Sequence, residues 1–199
     1  MEENSKKLKV CIFGEDSLLG RSISDILEKD YDILNSYSHL ANFPRQLMSS
    51  LAWGPEIDAT NESCVEALVL RADIIINCVG LVNTDKCLQN IYGAYQSNIL
   101  AAEVVAKYCQ MYNKKLVHLA TTASYSSSTI ITEETSPAIF QTMYSGSKLL
   151  GETIVKYLCP QSLIIRPCFV YGGKRDTSSI IKKLIYKTFR FKLCIITIS

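Results

Sequence analysis

Short, nearly unbroken apolar runs alternate along this chain with stretches whose apolar residues recur at helical spacing. The first run, residues 8–13 (LKVCIF), stops at Gly14 and reads as a buried strand. Gly14-Glu-Asp-Ser-Leu-Leu-Gly20 follows, and Leu18, Leu19, Ile23, Ile26 and Leu27 mark a helix reaching about Lys29. Residues 31–36 (YDILNS) predict a second strand. The pattern is irregular over 42–55, with a turn at Trp53-Gly54-Pro55, and 56–61 predict a short strand with its exit loop. Ser63 and Glu66 have capping-box spacing for a helix to about Arg71. Residues 73–79 (DIIINCV) are apolar almost throughout, as a central parallel strand covered on both faces must be. A loop over 80–86 leads to a helical pattern over about 92–112, with Asn98 near its middle. Then come a strand at 115–120 (KLVHLA), Thr121-Thr122 at its end, and a polar loop over 124–140. A helix over about 144–157 and a strand at 162–166 (SLIIR) complete the series. Strands and helices alternating in this way predict an α/β protein with a parallel sheet and right-handed crossovers. Ligands gather at the carboxyl ends of such strands, where Gly14, Asp58, Gly80, Thr121 and Tyr171 fall.

Composition narrows the function classes. With 199 residues, 48 % of them hydrophobic and 20 % charged, the chain is long enough for a sizeable core. A formal charge of +2 offers no general argument for nucleic acid. Residues 1–7 lack the apolar core of a signal peptide, and no apolar run approaches the length that crosses a bilayer, so a soluble cytoplasmic protein is expected, with no membrane partner. The eight cysteines are scattered without a CxxC, and His39 and His118 lie far from any cysteine pair. Neither a metal site nor a disulfide framework is expected from that spacing. Cys11 and Cys78 lie inside apolar runs and read as small core residues.

The chemistry centres on Tyr144-Ser-Gly-Ser-Lys148. Four apart on a helix, the phenol and the ammonium share one face. A free phenol titrates near pH 10, and bringing it near 7 takes roughly 4 kcal/mol, part of which a neighbouring ammonium can supply. Such a tyrosine exchanges a proton with a carbonyl or an alcohol oxygen near neutral pH. Tyrosine–lysine pairs at this spacing are common, so the pair alone is a weak signal. The Gly14 loop adds to it, because strand, glycine turn and helix set backbone N–H groups and a helix N-terminus against a pyrophosphate. Its middle glycine is replaced by Ser17, and Glu15 and Asp16 bring negative charge close to where an anion would sit. At 34–36 stand Leu34, Asn35 and Ser36, neither a carboxylate for NAD nor an arginine for NADP, so that choice stays open.

Taken in order, several pieces resemble an extended short-chain dehydrogenase/reductase. These are Leu18-Leu19-Gly20-Arg21, Asp58-Ala-Thr-Asn61, Asn77-Cys-Val-Gly80, Asn98, Thr121-Thr122, Tyr144-Ser-Gly-Ser-Lys148-Leu-Leu-Gly-Glu152, Leu163-Ile-Ile-Arg-Pro167 and Val170-Tyr-Gly172. Thr84-Asp85-Lys86 and the YSGSKLLGE form are most similar to the dTDP-4-dehydrorhamnose reductase family. The resemblance runs from Leu8 to about Leu193 and implies a Rossmann-type doubly wound parallel sheet, NADP or NAD as cofactor, and reduction of a nucleotide-linked 4-keto sugar. It also implies residue roles. Tyr144 would protonate the ketone oxygen as hydride arrives. Lys148 would hold the nicotinamide ribose and depress the tyrosine pKa. Thr121 would donate to the same carbonyl, with Thr122 as the alternative if the register is off by one. Asn98 would help hold a water in a proton path. Gly14, Ser17, Leu18, Leu19 and Gly20 would line the dinucleotide with Gly80, Leu81 and Val82, and Asp58 and Ala59 would meet the adenine.

Two other readings fit the same residues: a dinucleotide-binding or regulatory homologue without turnover, like the regulatory subunit of methionine adenosyltransferase, and a nucleotide-sugar epimerase or dehydratase. The resemblance places a dinucleotide-binding domain at 1–173 and the start of a substrate-binding portion at 174–199, with most of that portion missing. A helix over 177–187 and an apolar strand at 191–198 are expected there. Such a strand at a sheet edge predicts self-association, a homo-oligomer or aggregation, and little activity for the 199 residues alone. Lys174, Arg175, Lys182, Lys183, Lys187, Arg190 and Lys192 against Asp176 read as a solvated helix face.

Overall fold

The computed structural model describes residues 7–34, 58–125, 138–168 and 170. The chain divides into two compact units, Met1–Cys168 and Phe169–Ser199, and the architecture that follows is that of the first. Strand β1 (Lys9–Phe13) leads into helix α1 (Leu18–Leu27) and β2 (Asp32–Leu34). Helix α2 (Glu62–Arg71) precedes β3 (Ile74–Asn77). Two short helices, α3 (Thr84–Gln89) and α4 (Ile91–Tyr95), run through a π-helical turn at Gln96–Leu100 into α5 (Ala101–Met111). Strand β4 (Lys115–Leu119), a 3₁₀ turn (Thr122–Ser124), helix α6 (Met143–Leu158) and β5 (Leu163–Ile165) follow.

These strands form one parallel sheet in the order β2-β1-β3-β4-β5. Side chains alternate across it as the pleat demands. Cys11, Phe13, Ile75 and Leu116 face Val65 and Val69 of α2, Val105 of α5 and Val155 of α6. Val10, Ile12, Ile76 and Leu119 face the other way, against Leu19, Ile23 and Leu27 of α1. Both faces are therefore covered, which is why the strands read as unbroken apolar runs. Since α1 lies on one face and α5 and α6 on the other, the winding reverses between β1 and β3. This is the doubly wound Rossmann arrangement, and the crevice at its switch point opens beyond the carboxyl ends of β1 and β3.

The helices differ from the sequence expectation at their ends. Helix α2 is capped by Asn61, whose side chain accepts from the Cys64 N–H at 3.1 Å, two residues before the expected Ser63–Glu66 box. The helical stretch expected from 92 begins at Thr84, because Asn83 caps α3 and Asn90 caps α4 through their amide oxygens. Asparagine caps are local signals that a count of apolar spacing passes over. Helix α2 is clamped to α5 where Glu62 accepts from Lys107 and the Tyr108 hydroxyl, both at 2.9 Å, and Tyr112 donates to Glu66. The stretches expected at 42–55 and 174–199, much of the 124–140 loop, and positions Asn35, Ser36 and Tyr171 lie outside the described residues. Among the described residues no helix is long and apolar enough to cross a membrane.

Candidate active site

The loop after β1 turns through Gly14 at φ +76°, where an L side chain is strained and a Cβ would come within 2.9 Å of the Cys78–Val79 backbone. Glycine here lets the ends of β1 and β3 close on each other. At Gly20 a Cβ would run into the Gly14 carbonyl, so the first turn of α1 lies directly against the loop. Ser17, where a glycine is the usual residue, is the N-cap of α1: its Oγ accepts from the Gly20 N–H at 3.0 Å, and its backbone carbonyl from Arg21. The N–H groups of Leu18 and Leu19 are the other donors that a helix start leaves for a ligand. Glu15 accepts from the Ser24 hydroxyl at 3.0 Å, which ties its carboxylate to α1, while Asp16 is exposed. Ahead of α2, one oxygen of Asp58 accepts from both the N–H (2.8 Å) and the hydroxyl (2.6 Å) of Thr60, and Ala59 is buried.

Beyond β3 the loop is held by amides. Asn77 accepts from the Val79 N–H at 3.0 Å. Asn98, 1 % exposed in the π turn, accepts from the Leu81 N–H at 2.8 Å and donates to the Leu81 carbonyl at 3.1 Å and to the Ser147 hydroxyl at 2.9 Å. One side chain thus pins the Gly80–Leu81 backbone to α6, while Val82 points to solvent. A π turn shifts the helix register and is frequent at functional sites. Here it presents Asn98 to two elements at once. Gly151 of α6 packs on the Asn98 carbonyl so closely that a Cβ would overlap it. Gly151→Ala is therefore expected to destabilise the fold by about 2 kcal/mol or more, seen as an earlier urea midpoint with the m-value unchanged. A midpoint equal to the parent's would mean that α6 gives way without cost.

The last pieces meet at the end of β4. Thr142 caps α6 in a reciprocal pair with Ser145, at 3.0 Å and 2.9 Å, which starts the helix just before Tyr144. Thr121 accepts from the Ala123 N–H at 3.1 Å, and its hydroxyl acts on the Tyr144 phenol, drawing the phenol's pKa down. Thr122 turns away, toward the Pro167 carbonyl. Ser124 donates to the Ser145 carbonyl at 3.0 Å, fixing this turn to α6. Lys148, only 4 % exposed, donates to the Leu119 carbonyl at 2.6 Å, and its Nζ lies 3.4 Å from where a Cβ on Gly80 would stand.

Burial dominates the electrostatics. Desolvation pushes Lys148 down to about 8, against weaker upward pulls from Cys78 and Glu152. Burial also raises the Tyr144 phenol above its ordinary value; the Thr121 hydrogen bond works against this, and Lys148 is not among the causes. The Lys148 ammonium, one turn on, donates to the Leu119 carbonyl. Two further groups stand behind the site. Glu152, also 4 % exposed, accepts from Arg166 through two nitrogens and from Lys156, one turn past Lys148. His118 is buried beside Asn77, and desolvation drives it down to about 3, so it is neutral. Tyrosine, lysine and glutamate at four-residue intervals were visible in the sequence; that the glutamate's main partner is Arg166, across a crossover, was not. Among the described residues no group of three or more His, Cys, Asp or Glu side chains could hold a metal ion.

A family model described as RmlD substrate binding domain matches residues 8–192. A probable low-salt glycan biosynthesis reductase, Agl14, from Haloferax volcanii is 32 % identical over 130 residues, covering 63 % of this chain and 43 % of that protein. A dTDP-4-dehydrorhamnose reductase from Mycolicibacterium smegmatis is 28 % identical over 123 residues, 59 % of this chain and 37 % of the relative. The crystal structure of a dTDP-4-dehydrorhamnose reductase from Bacillus anthracis in complex with NADP superposes with a TM-score of 0.75 at 28 % identity, covering 94 % of this chain and 62 % of that one. The chain spans well under half the length of these two sequence relatives and about three fifths of the solved structure. A model match over nearly the whole chain, on a doubly wound sheet, settles the question of kinship: the chain belongs to the RmlD substrate binding domain family, within the extended short-chain dehydrogenases/reductases.

Proposed function

We propose that this chain carries the dinucleotide-binding and proton-donating part of an NAD(P)H-dependent reductase acting on a nucleotide-linked 4-keto sugar, of the dTDP-4-dehydrorhamnose kind, in deoxysugar or polysaccharide synthesis. The observation that carries the reading is Lys148, buried and donating to the Leu119 carbonyl at the carboxyl end of β4, with Tyr144 one turn before it on α6 where the Thr121 hydroxyl acts on the phenol. The residues fit a dinucleotide: Gly14 and Gly20 leave no room for side chains where backbone must approach a pyrophosphate, and the α1 N-terminus faces the same crevice. Leu18 to Gly20 would take the pyrophosphate, Asp58 and Ala59 the adenine, Gly80 to Val82 the middle of the cofactor, and Lys148 the nicotinamide ribose. When bound, the reduced nicotinamide supplies hydride to the ketone carbon. The chain's own part is the proton. Tyr144 gives its phenolic proton to the ketone oxygen, and Thr121, whose oxygen is already occupied by the Ala123 N–H, directs its hydroxyl proton toward the same place. Lys148, charged at neutral pH, favours the phenolate left behind. Asn98 keeps the Gly80–Leu81 loop in place and is the candidate to hold a water on the path by which Tyr144 regains a proton.

One observation favours a second reading, a binding module without turnover: the Tyr144 phenol is raised rather than lowered, and the Lys148 ammonium rests on a backbone carbonyl. One titration and one assay separate the two. Saturable binding of NADPH or NADH, followed by cofactor fluorescence, is expected under both. Oxidation of NADPH dependent on dTDP-4-dehydrorhamnose is expected under the first alone. Absence of saturable binding by either nucleotide would overturn both.

A further inference from the structure

Lys148 and Glu152 are four residues apart on α6, bear opposite charge and are both 4 % exposed. Such neighbours attract, and burial strengthens the attraction. Yet among the described residues no ion pair joins them, and the lysine donates to the Leu119 carbonyl instead. The reason lies on the glutamate. Arg166 donates through Nε to Oε2 at 2.9 Å and through Nη2 to Oε1 at 2.6 Å, the fork geometry in which guanidinium matches carboxylate. Half-exposed Lys156 adds a contact at 2.6 Å, to Oε1 alone. Arg166 is itself held: it follows β5, which pairs with β4, and its guanidinium lies 5.4 Å over the Tyr125 ring.

We infer that Arg166 is a positioning residue for Lys148: by occupying both oxygens of Glu152 it keeps that carboxylate from drawing the lysine ammonium out of the site. The consequence for cofactor binding rests on the function proposed above; the geometry does not. Among the described residues, the other titratable groups that feel the charge of this pair give Glu152 no substitute cation. His118, on which both Lys148 and Glu152 act, is kept neutral by burial, and burial holds the Cys78 thiol protonated. Removing Arg166 therefore leaves a buried carboxylate with half-exposed Lys156 as its one remaining ion-pair partner among the described residues, an arrangement that is strongly unfavourable. Lys148, on a flexible four-carbon stem one turn away, is the cation that can relieve it.

The test compares the full chain with Arg166→Leu and with the double variant Arg166→Leu/Glu152→Leu, which removes carboxylate and guanidinium together. Lysine side chains labelled with ¹³C at Cε are titrated by NMR, and Lys148 is assigned by its absence from Lys148→Met. Arg166→Leu is expected to raise the Lys148 pKa by about one unit or more as the ammonium gains a carboxylate. The double variant is expected to bring it back to the parent value or below. NADPH affinity is expected to fall about tenfold or more in the single variant, the loss of one or two interactions with the ribose, and to recover in the double. A role that is merely structural predicts a double variant at least as impaired as the single. If Arg166→Leu folds too poorly to titrate, Arg166→Gln removes the charge while retaining an N–H donor and must move Lys148 in the same direction. An unchanged Lys148 titration in the single variant, or one that stays shifted in the double, overturns the inference. If the parent binds no NADPH, the function reading fails and the titration still decides this one.

Discussion

Tyr144→Phe is expected to abolish ketone reduction while leaving dinucleotide affinity near the parent value. The hydroxyl acts on the reacting oxygen, so its loss is felt in the transition state rather than in the ground-state complex. General-acid contributions run to about 10²–10⁴-fold, and kcat should fall by that order. The same variant leaves the Ala123 N–H that Thr121 accepts undisturbed, so the turn at the end of β4 should hold. The measurement is steady-state NADPH oxidation against keto-sugar concentration, beside a fluorescence titration of NADPH. Turnover by the phenylalanine variant at near the parent rate would remove Tyr144 from the reaction and leave the binding-module reading in possession.

How much of this was legible in the sequence varies with the range of the interaction that decides it. The glycines at 14 and 20 announce themselves because backbone conformation and close approach exclude other residues locally. The strands do so because burial on both faces demands unbroken apolar runs. Whether Thr121 or Thr122 meets Tyr144 turns on a one-residue register, which the pairing of β4 with its neighbours and the 3₁₀ turn fix. The π turn was invisible for a related reason: nothing in residues 96–100 demands it, while the bonds from Asn98 to Leu81 and Ser147 do. Ser17 could be seen to replace a glycine, but its use as the N-cap of α1 depends on where the helix starts. Glu152 and Arg166 were visible as residues and not as a pair, because fourteen positions and a crossover separate them.

Lys148→Met should stabilise the fold while disabling the site, a combination that distinguishes a functional residue from a structural one. In the folded chain burial holds the lysine near 8 against an ordinary 10.5. Below pH 8 the ammonium is charged in both states, and its burial costs stability in full. As pH rises from about 8 toward 10.5 the folded chain releases its proton first, so the cost is relieved across that window and stability climbs with pH. At roughly 1.4 kcal/mol per unit the full cost is about 3 kcal/mol, from which the bond to the Leu119 carbonyl must be deducted because methionine cannot make it. A net gain of about 1–2 kcal/mol at pH 7 is expected, a few degrees in Tm, shrinking as pH approaches 10.5. NADPH affinity and turnover should both fall, since the ribose and the phenolate lose the same cation. Thermal melts of parent and variant at pH 7 and pH 10, with an NADPH titration at pH 7, read all of this. A variant less stable than the parent at pH 7 would show that the lysine is an anchor of the sheet, and that the depression of its pKa does not reflect a charge held at a cost for binding.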